Sequence, residues 1–218
     1  MIVDTPPHSL PAGVWAALEG AFSAMVSGGL PCGAALVDHT GTVIARGRNH
    51  AYDPGDGCDI LQETPLAHAE LNVLAQVSTT RDLANDTLWS TQQPCAMCAA
   101  AISFCGVGHV RFLAADPAFV ATADSRAGTP FDPTVENPEL TVWLILANAL
   151  FLQPAIQRGD EDRLERNRRV EPETVDAATR IALAPPLEAL DAFVASNWSF
   201  LVPLADRRRQ RHDAWRNT

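Results

Sequence analysis

The chain has 218 residues, 47% apolar and 19% charged, with a mean hydropathy of −0.01; it is long enough to bury about 70% of its unfolded surface without staples, and its composition excludes a disordered or fibrous protein. The net charge of −10 falls in residues 1–150, where 15 Asp and Glu face 5 Arg; residues 151–218 balance at 11 and 11, and Lys is absent. Such an acidic body repels phosphate backbones, so a small uncharged substrate suits it better than a long nucleic acid, which only the arginine-rich tail would hold.

The opening MIVDTPPHSL carries neither a basic nor an apolar leader, and the longest apolar run, near residues 141–152, is too short to span a bilayer. Cys32, Cys58, Cys95, Cys98 and Cys105 form an odd set without an export signal. That pattern points to a reducing compartment, the cytoplasm, and to metal or thiolate chemistry rather than disulfides.

From Pro11 to Val26, Val14, Trp15, Leu18, Phe22, Met25 and Val26 recur at helical spacing before Gly28-Gly29. Two β-rich runs follow, Ala34–Asp38 and Thr42–Arg46, joined by a His39-Thr40-Gly41 turn and so paired antiparallel. Residues 49–63 read as a loop. Thr64-Pro65 then predicts a helix start, with Leu66, Val73, Leu74 and Val77 as its buried stripe and His68 and Glu70 in its opening turns. A strand Thr87–Thr91, a helix from Pro94 to about Phe104 and a strand Val107–Leu113 complete the order αββαβαβ. Strands flanking a helix need a crossover, so part of the sheet is parallel, with helices on both faces. Beyond Asp116, residues 117–138 read as a loop, Thr141–Leu152 as a buried helix, and Glu173–Leu183 and Leu187–Val194 as further helices.

The chemistry concentrates in His68-Ala69-Glu70 and Pro94-Cys95-Ala96-Met97-Cys98, each at a helix start. One His and two Cys make a three-ligand zinc set whose fourth position stays open to water, the arrangement of a catalytic site. A closed structural site would need a fourth ligand such as Cys105 or Cys32. Glu70, two residues beyond a ligand, is placed to move protons without being a ligand itself; its bland alternative is a surface carboxylate favoured by the helix dipole. The DPGDGCD stretch lacks the length and terminal Glu of a calcium loop, and the arginines of 163–169 and 207–211, interleaved with acids, read as a solvated face.

The H-x-E and P-C-x-x-C pair resembles the zinc deaminases. With LPCGAALVD, ARGRN, PLAHAELNVLA, TLWSTQQPCAMCAAAI and VRFLAAD in order over residues 10–116, the chain resembles the cytidine-deaminase-like superfamily, in the branch of tRNA adenosine deaminase, bacterial guanine deaminase and yeast-type cytosine deaminase. The resemblance implies a three-layer α/β/α fold with a mixed central sheet, a homodimer, Zn2+ on His68, Cys95 and Cys98, and Glu70 as the catalytic proton carrier. It also places Asn49 on the base and the Ala69 backbone on its ring. Asp116 is taken as a further substrate contact, with loop capping as its bland alternative. Gln93 stands where tRNA adenosine and guanine deaminases usually have glutamate.

The expectation is therefore a deaminase domain over residues 1–138 with a mostly helical extension, 139–218, packed on it. Its activity would be hydrolytic release of ammonia from a cytosine- or guanine-type base or nucleoside. The alternatives are a tRNA adenosine deaminase and a non-catalytic, zinc-stabilised binding module.

Overall fold

The computed structural model describes residues 10–53, 60–117, 140–181 and 189–216. These fall into two compact units, one within Leu10–Phe131 and one within Asp132–Thr218. Cys58 and most of the DPGDGCD stretch lie outside the described residues.

The first unit runs α1 (Ala12–Val26), β1 (Gly33–Val37), β2 (Val43–Arg48), α2 (Ala69–Leu74), β3 (Thr87–Gln92), α3 (Ala96–Phe104) and β4 (His109–Ala114). Among the described residues the strands form one sheet in the order β2-β1-β3-β4, with antiparallel β2-β1 and β1-β3 pairs and a parallel β3-β4 pair. The sheet is thus mixed, as expected. The register places Ala34 beside Gly47 and Ser90, and Leu36 beside Ala45 and Leu88. Because successive side chains alternate between faces, this set shares one face; Ala34, Leu36, Ala45 and Leu88 join Val73, Leu74 and Ile102 in the core beneath α2 and α3. The opposite face carries α1. Gly33 is what permits that approach, since a Cβ there would run into the Ala17 carbonyl. Helices therefore cover both faces of the sheet.

The helix expected from Pro65 begins later. Thr64 donates its hydroxyl to the Leu61 carbonyl and accepts from the Leu66 amide, holding residues 61–66 in turns. The His50 amide then bonds the Ala67 carbonyl, tying this segment to the end of β2, and His68 is extended at ψ 151°. An extended residue cannot continue a helix backwards, so α2 starts at Ala69. Leu66 is consequently 48% exposed rather than buried.

The second unit is helical among its described residues: α4 (Thr141–Arg158), α5 (Glu161–Val170), α6 (Pro172–Arg180) and α7 (Leu190–Arg216). α4 is buried on nearly every side and continues past the expected Leu152 to Gly159, whose φ of 66° ends it. Asp160 caps α5 by accepting from the Arg163 amide. No described helix is long and apolar enough to cross a membrane.

Two polar features hold this unit together. Asn148 on α4 donates to Asn167 Oδ1 and Thr174 Oγ1, linking three helices through one buried amide. Arg208, only 4% exposed, donates two bonds to the Glu171 carboxylate, while Arg211 binds Glu171 and Glu173 and Arg207 binds Asp176. The solvated face expected of 207–211 is therefore corrected at Arg208: its helical phase turns it inward, where the acids of α6 and its cap neutralise it.

Candidate metal centre and active site

His68 and Cys95 occupy equivalent places, each the residue before a helix, α2 and α3 respectively, on the same side of the sheet. Both are extended, with ψ of 151° and 169°, and neither side chain caps its own helix. Residues in this position ordinarily spend their side chains on the free amides of the first turn. Here they turn towards each other. Cys98, one turn into α3, completes the group.

The His68 Nδ1 lies 3.4 Å from Cys98 Sγ and 3.6 Å from Cys95 Sγ, and the two sulfurs are 3.6 Å apart. Tetrahedral zinc ligands stand about 3.6 Å apart for nitrogen and sulfur and about 3.8 Å for two sulfurs, given bonds of about 2.05 and 2.3 Å. The donor set thus fits zinc in type and spacing. It is the one such group among the described residues, and neither Cys32 nor Cys105 joins it, so no fourth protein ligand closes it there.

Glu70 sits in the first turn of α2, 6% exposed. Its Oε2 accepts from Cys98 Sγ at 3.4 Å and its Oε1 from the Ser90 hydroxyl at 3.1 Å. The surface-carboxylate alternative is excluded by this burial. Burial raises its pKa above the ordinary carboxylate value, against the opposing pull of its own amide, the Ser90 hydroxyl and His68. Cys95 moves the other way, to about 3, because Cys98 and His68 both stabilise its thiolate. Cys98 is pushed up as the donor to that thiolate and by burial. His68 is raised chiefly by its bond to Cys95. The group therefore favours a thiolate at Cys95, a thiol at Cys98, an imidazolium at His68 and a Glu70 carboxyl that holds its proton above the usual range.

The remaining expected residues lie on segments that adjoin this group. Asn49 is buried just after β2, beside the His50–Ala67 backbone bond that leads into His68. Its Oδ1 accepts from the Ala51 amide at 3.0 Å, leaving the side-chain NH2 to donate. Ala69, buried, is the first residue of α2. Asp116 is half-buried after β4, and its amide donates to Gln93 Oε1 at 3.3 Å. Gln93 thereby ties the end of β4 to the segment entering Cys95. Two residues escaped the sequence reading. Asp53, buried, binds Arg48 at 2.5 Å and so stiffens the end of β2. Ser90 is a hydroxyl on the core face of a buried strand, and alternation within β3 was the signal that would have found it.

Residues 15–114 match the family model described as the cytidine and deoxycytidylate deaminase zinc-binding region. The match covers a little under half of the chain, and over these residues the chain is similar to that family. A tRNA-specific adenosine deaminase of Haemophilus influenzae is 38% identical over 103 residues, 46% of this chain and 55% of that protein. A tRNA(Ile)-lysidine synthase of Deinococcus radiodurans is 32% identical over 115 residues, 51% of this chain and 18% of that protein. The chain thus spans about half of the first relative and under a fifth of the second. Among solved structures, one from studies of A-to-I editing by tRNA:A34 deaminases is 30% identical, covering 55% of this chain and 95% of that chain at a TM-score of 0.43. Guanine deaminase from Bacillus subtilis is 24% identical, covering 59% and 74% at a TM-score of 0.41.

Proposed function

We propose that this chain is a hydrolytic deaminase that releases ammonia from a small nucleobase or nucleoside of the cytosine or guanine type. The observation that carries the reading is the Glu70 carboxyl group, buried against Cys98 beside three side chains whose spacing suits zinc. His68, Cys95 and Cys98 would hold the metal, which supplies, when bound, the Lewis acidity that activates water near neutral pH. Glu70 would take one proton from the attacking water and give it to the ring nitrogen as the C–O bond forms, then take the remaining hydroxyl proton and give it to the amine as the C–N bond breaks and ammonia leaves. Its raised proton affinity suits a group that must both accept and return a proton. Asn49 donates its free NH2 to the base, the Ala69 backbone lies against the ring, and Asp116 borders the entrance.

Cys32 and Cys105 are in no disulfide among the described residues, which suits a reducing cytoplasm. The same reading takes the protein as a homodimer. Adenosine in tRNA is the second reading, favoured by the Haemophilus relative. Against it, Arg207, Arg208 and Arg211 of α7, which would meet a phosphate backbone, are engaged with Asp176, Glu171 and Glu173.

The deciding experiment is ammonia release by zinc-loaded protein from cytosine, guanine, cytidine, guanosine and a tRNA anticodon stem-loop. Turnover of a base or nucleoside is expected. Turnover of the stem-loop alone transfers the assignment to tRNA, and zinc-replete protein inert on every substrate leaves the binding-module reading standing.

A further inference from the structure

We propose that Ser90 is a positioning residue for Glu70, fixing which carboxylate oxygen faces the candidate metal ligands. The inference rests on the deaminase reading. Ser90 lies on β3 at 1% exposure, and its Oγ donates to Glu70 Oε1 at 3.1 Å. Its neighbours on that face, Ala34, Leu88 and Phe112, are apolar. A hydroxyl buried in such company is costly unless bonded, and Glu70 supplies the bond.

The sheet lies close to α2 at this point. Gly47, opposite Ala34 in the register, has no side chain, and a Cβ there would stand 2.5 Å from the Ala69 carbonyl. The opening turn of α2 is thereby pressed onto the strands, bringing Glu70 within reach of Ser90.

The two carboxylate oxygens consequently have different surroundings. Oε1 is anchored on a central strand, whereas Oε2 faces Cys98. A cysteine that ligates metal is a thiolate and has no proton to donate. The Ser90 hydroxyl then remains as the side-chain donor that fixes the carboxylate. It leaves Oε2 as the oxygen that faces the candidate metal ligands. Ser90 acts only through Glu70 and touches no reacting atom.

The test compares Ser90→Ala, Ser90→Thr and Ser90→Val with wild type and Glu70→Gln, each loaded with zinc and analysed for metal content. Ammonia release is followed on cytosine and guanine, and each variant is crystallised. Ser90→Ala should keep its zinc and its KM, lose about 10- to 100-fold in kcat, and show the Glu70 carboxylate rotated or in two orientations while His68, Cys95 and Cys98 stay in place. Thr should restore turnover and the single orientation; Val, of the same shape without the hydroxyl, should not. Thr and Val decide the matter by themselves if the alanine variant fails to fold. Wild-type kcat with an unmoved carboxylate in Ser90→Ala or Ser90→Val overturns the proposal. An active Glu70→Gln sinks Glu70 as the proton carrier, and a wild type inert on both bases sinks the deaminase reading on these bases; in either case the crystallographic orientation of Glu70 still decides whether Ser90 fixes it.

Discussion

Cys98 Sγ lies 3.4 Å from Glu70 Oε2, across 28 positions of sequence. A candidate metal ligand and the candidate proton carrier therefore share a contact, brought about by two helix starts that meet over one face of the sheet. Their separate roles can be pulled apart by substitution. Glu70→Gln keeps the shape and removes the proton chemistry, so zinc content should stay at that of wild type while ammonia release falls by about 1000-fold. Thermal stability should hold or rise, because a buried amide avoids the cost of a buried charge. More than a tenth of wild-type turnover in a zinc-replete variant would exclude Glu70 as the proton carrier.

Metal removal addresses the ligands. A chelator that strips zinc should abolish turnover and lower the melting temperature, and stoichiometric zinc should restore both. Substituting Cys95 or Cys98 by Ser should reduce bound zinc well below one per chain, whereas Cys105→Ser, at an exposed position outside the group, should not. Equal loss of zinc in all three variants, measured by elemental analysis, would contradict the assignment.

In the helical unit, Arg208 offers a sharper test of buried charge. Removing one partner of a buried ion pair strands the other, so Arg208→Ala should cost about 3 to 5 kcal/mol. Replacing both partners, as Arg208→Met with Glu171→Leu, should recover most of that loss. Urea unfolding of the two variants against wild type measures both effects, and an Arg208→Ala midpoint equal to wild type would show the pair to be idle.

Glu173 predicts a pH dependence. Burial alone would raise its pKa, but the bonds from Arg211, together with its own amide, outweigh burial and hold it below the ordinary value of 4.5. A depressed folded pKa means stability that is present above the unfolded value and lost as pH falls through the folded one. Wild type should therefore lose stability below about pH 4.5 more steeply than Glu173→Gln, which has no proton to take up. Unfolding midpoints measured between pH 3 and 7 check this; parallel curves would rule it out.

The site and the core were legible in the chain to different degrees. His68, Glu70, Cys95 and Cys98 stood out because their spacing is local and metal ligands are chemically distinctive residue types. The strands were legible because Ala34–Val37 is a short apolar run and Thr87–Thr91 a short run of β-forming residues, each bounded by turn residues. The start of α2 was misread because Thr64-Pro65 is good local cap chemistry; the His50–Ala67 bond, which spans two separate segments, overrode it. The full length of α7 was hidden because its apolar periodicity is weak and Pro203 interrupts it.

Sequence alone determined the candidate ligand set, the order of elements in the first unit and the acidic character of the first 150 residues, since each follows from residue type and near-neighbour spacing. Only the tertiary structure decided that Ser90 holds Glu70, that Gly33 and Gly47 let helices lie against the sheet, and that Arg208 turns inward to Glu171. Those outcomes depend on which strands and helices meet, a property of long-range packing that no local pattern encodes.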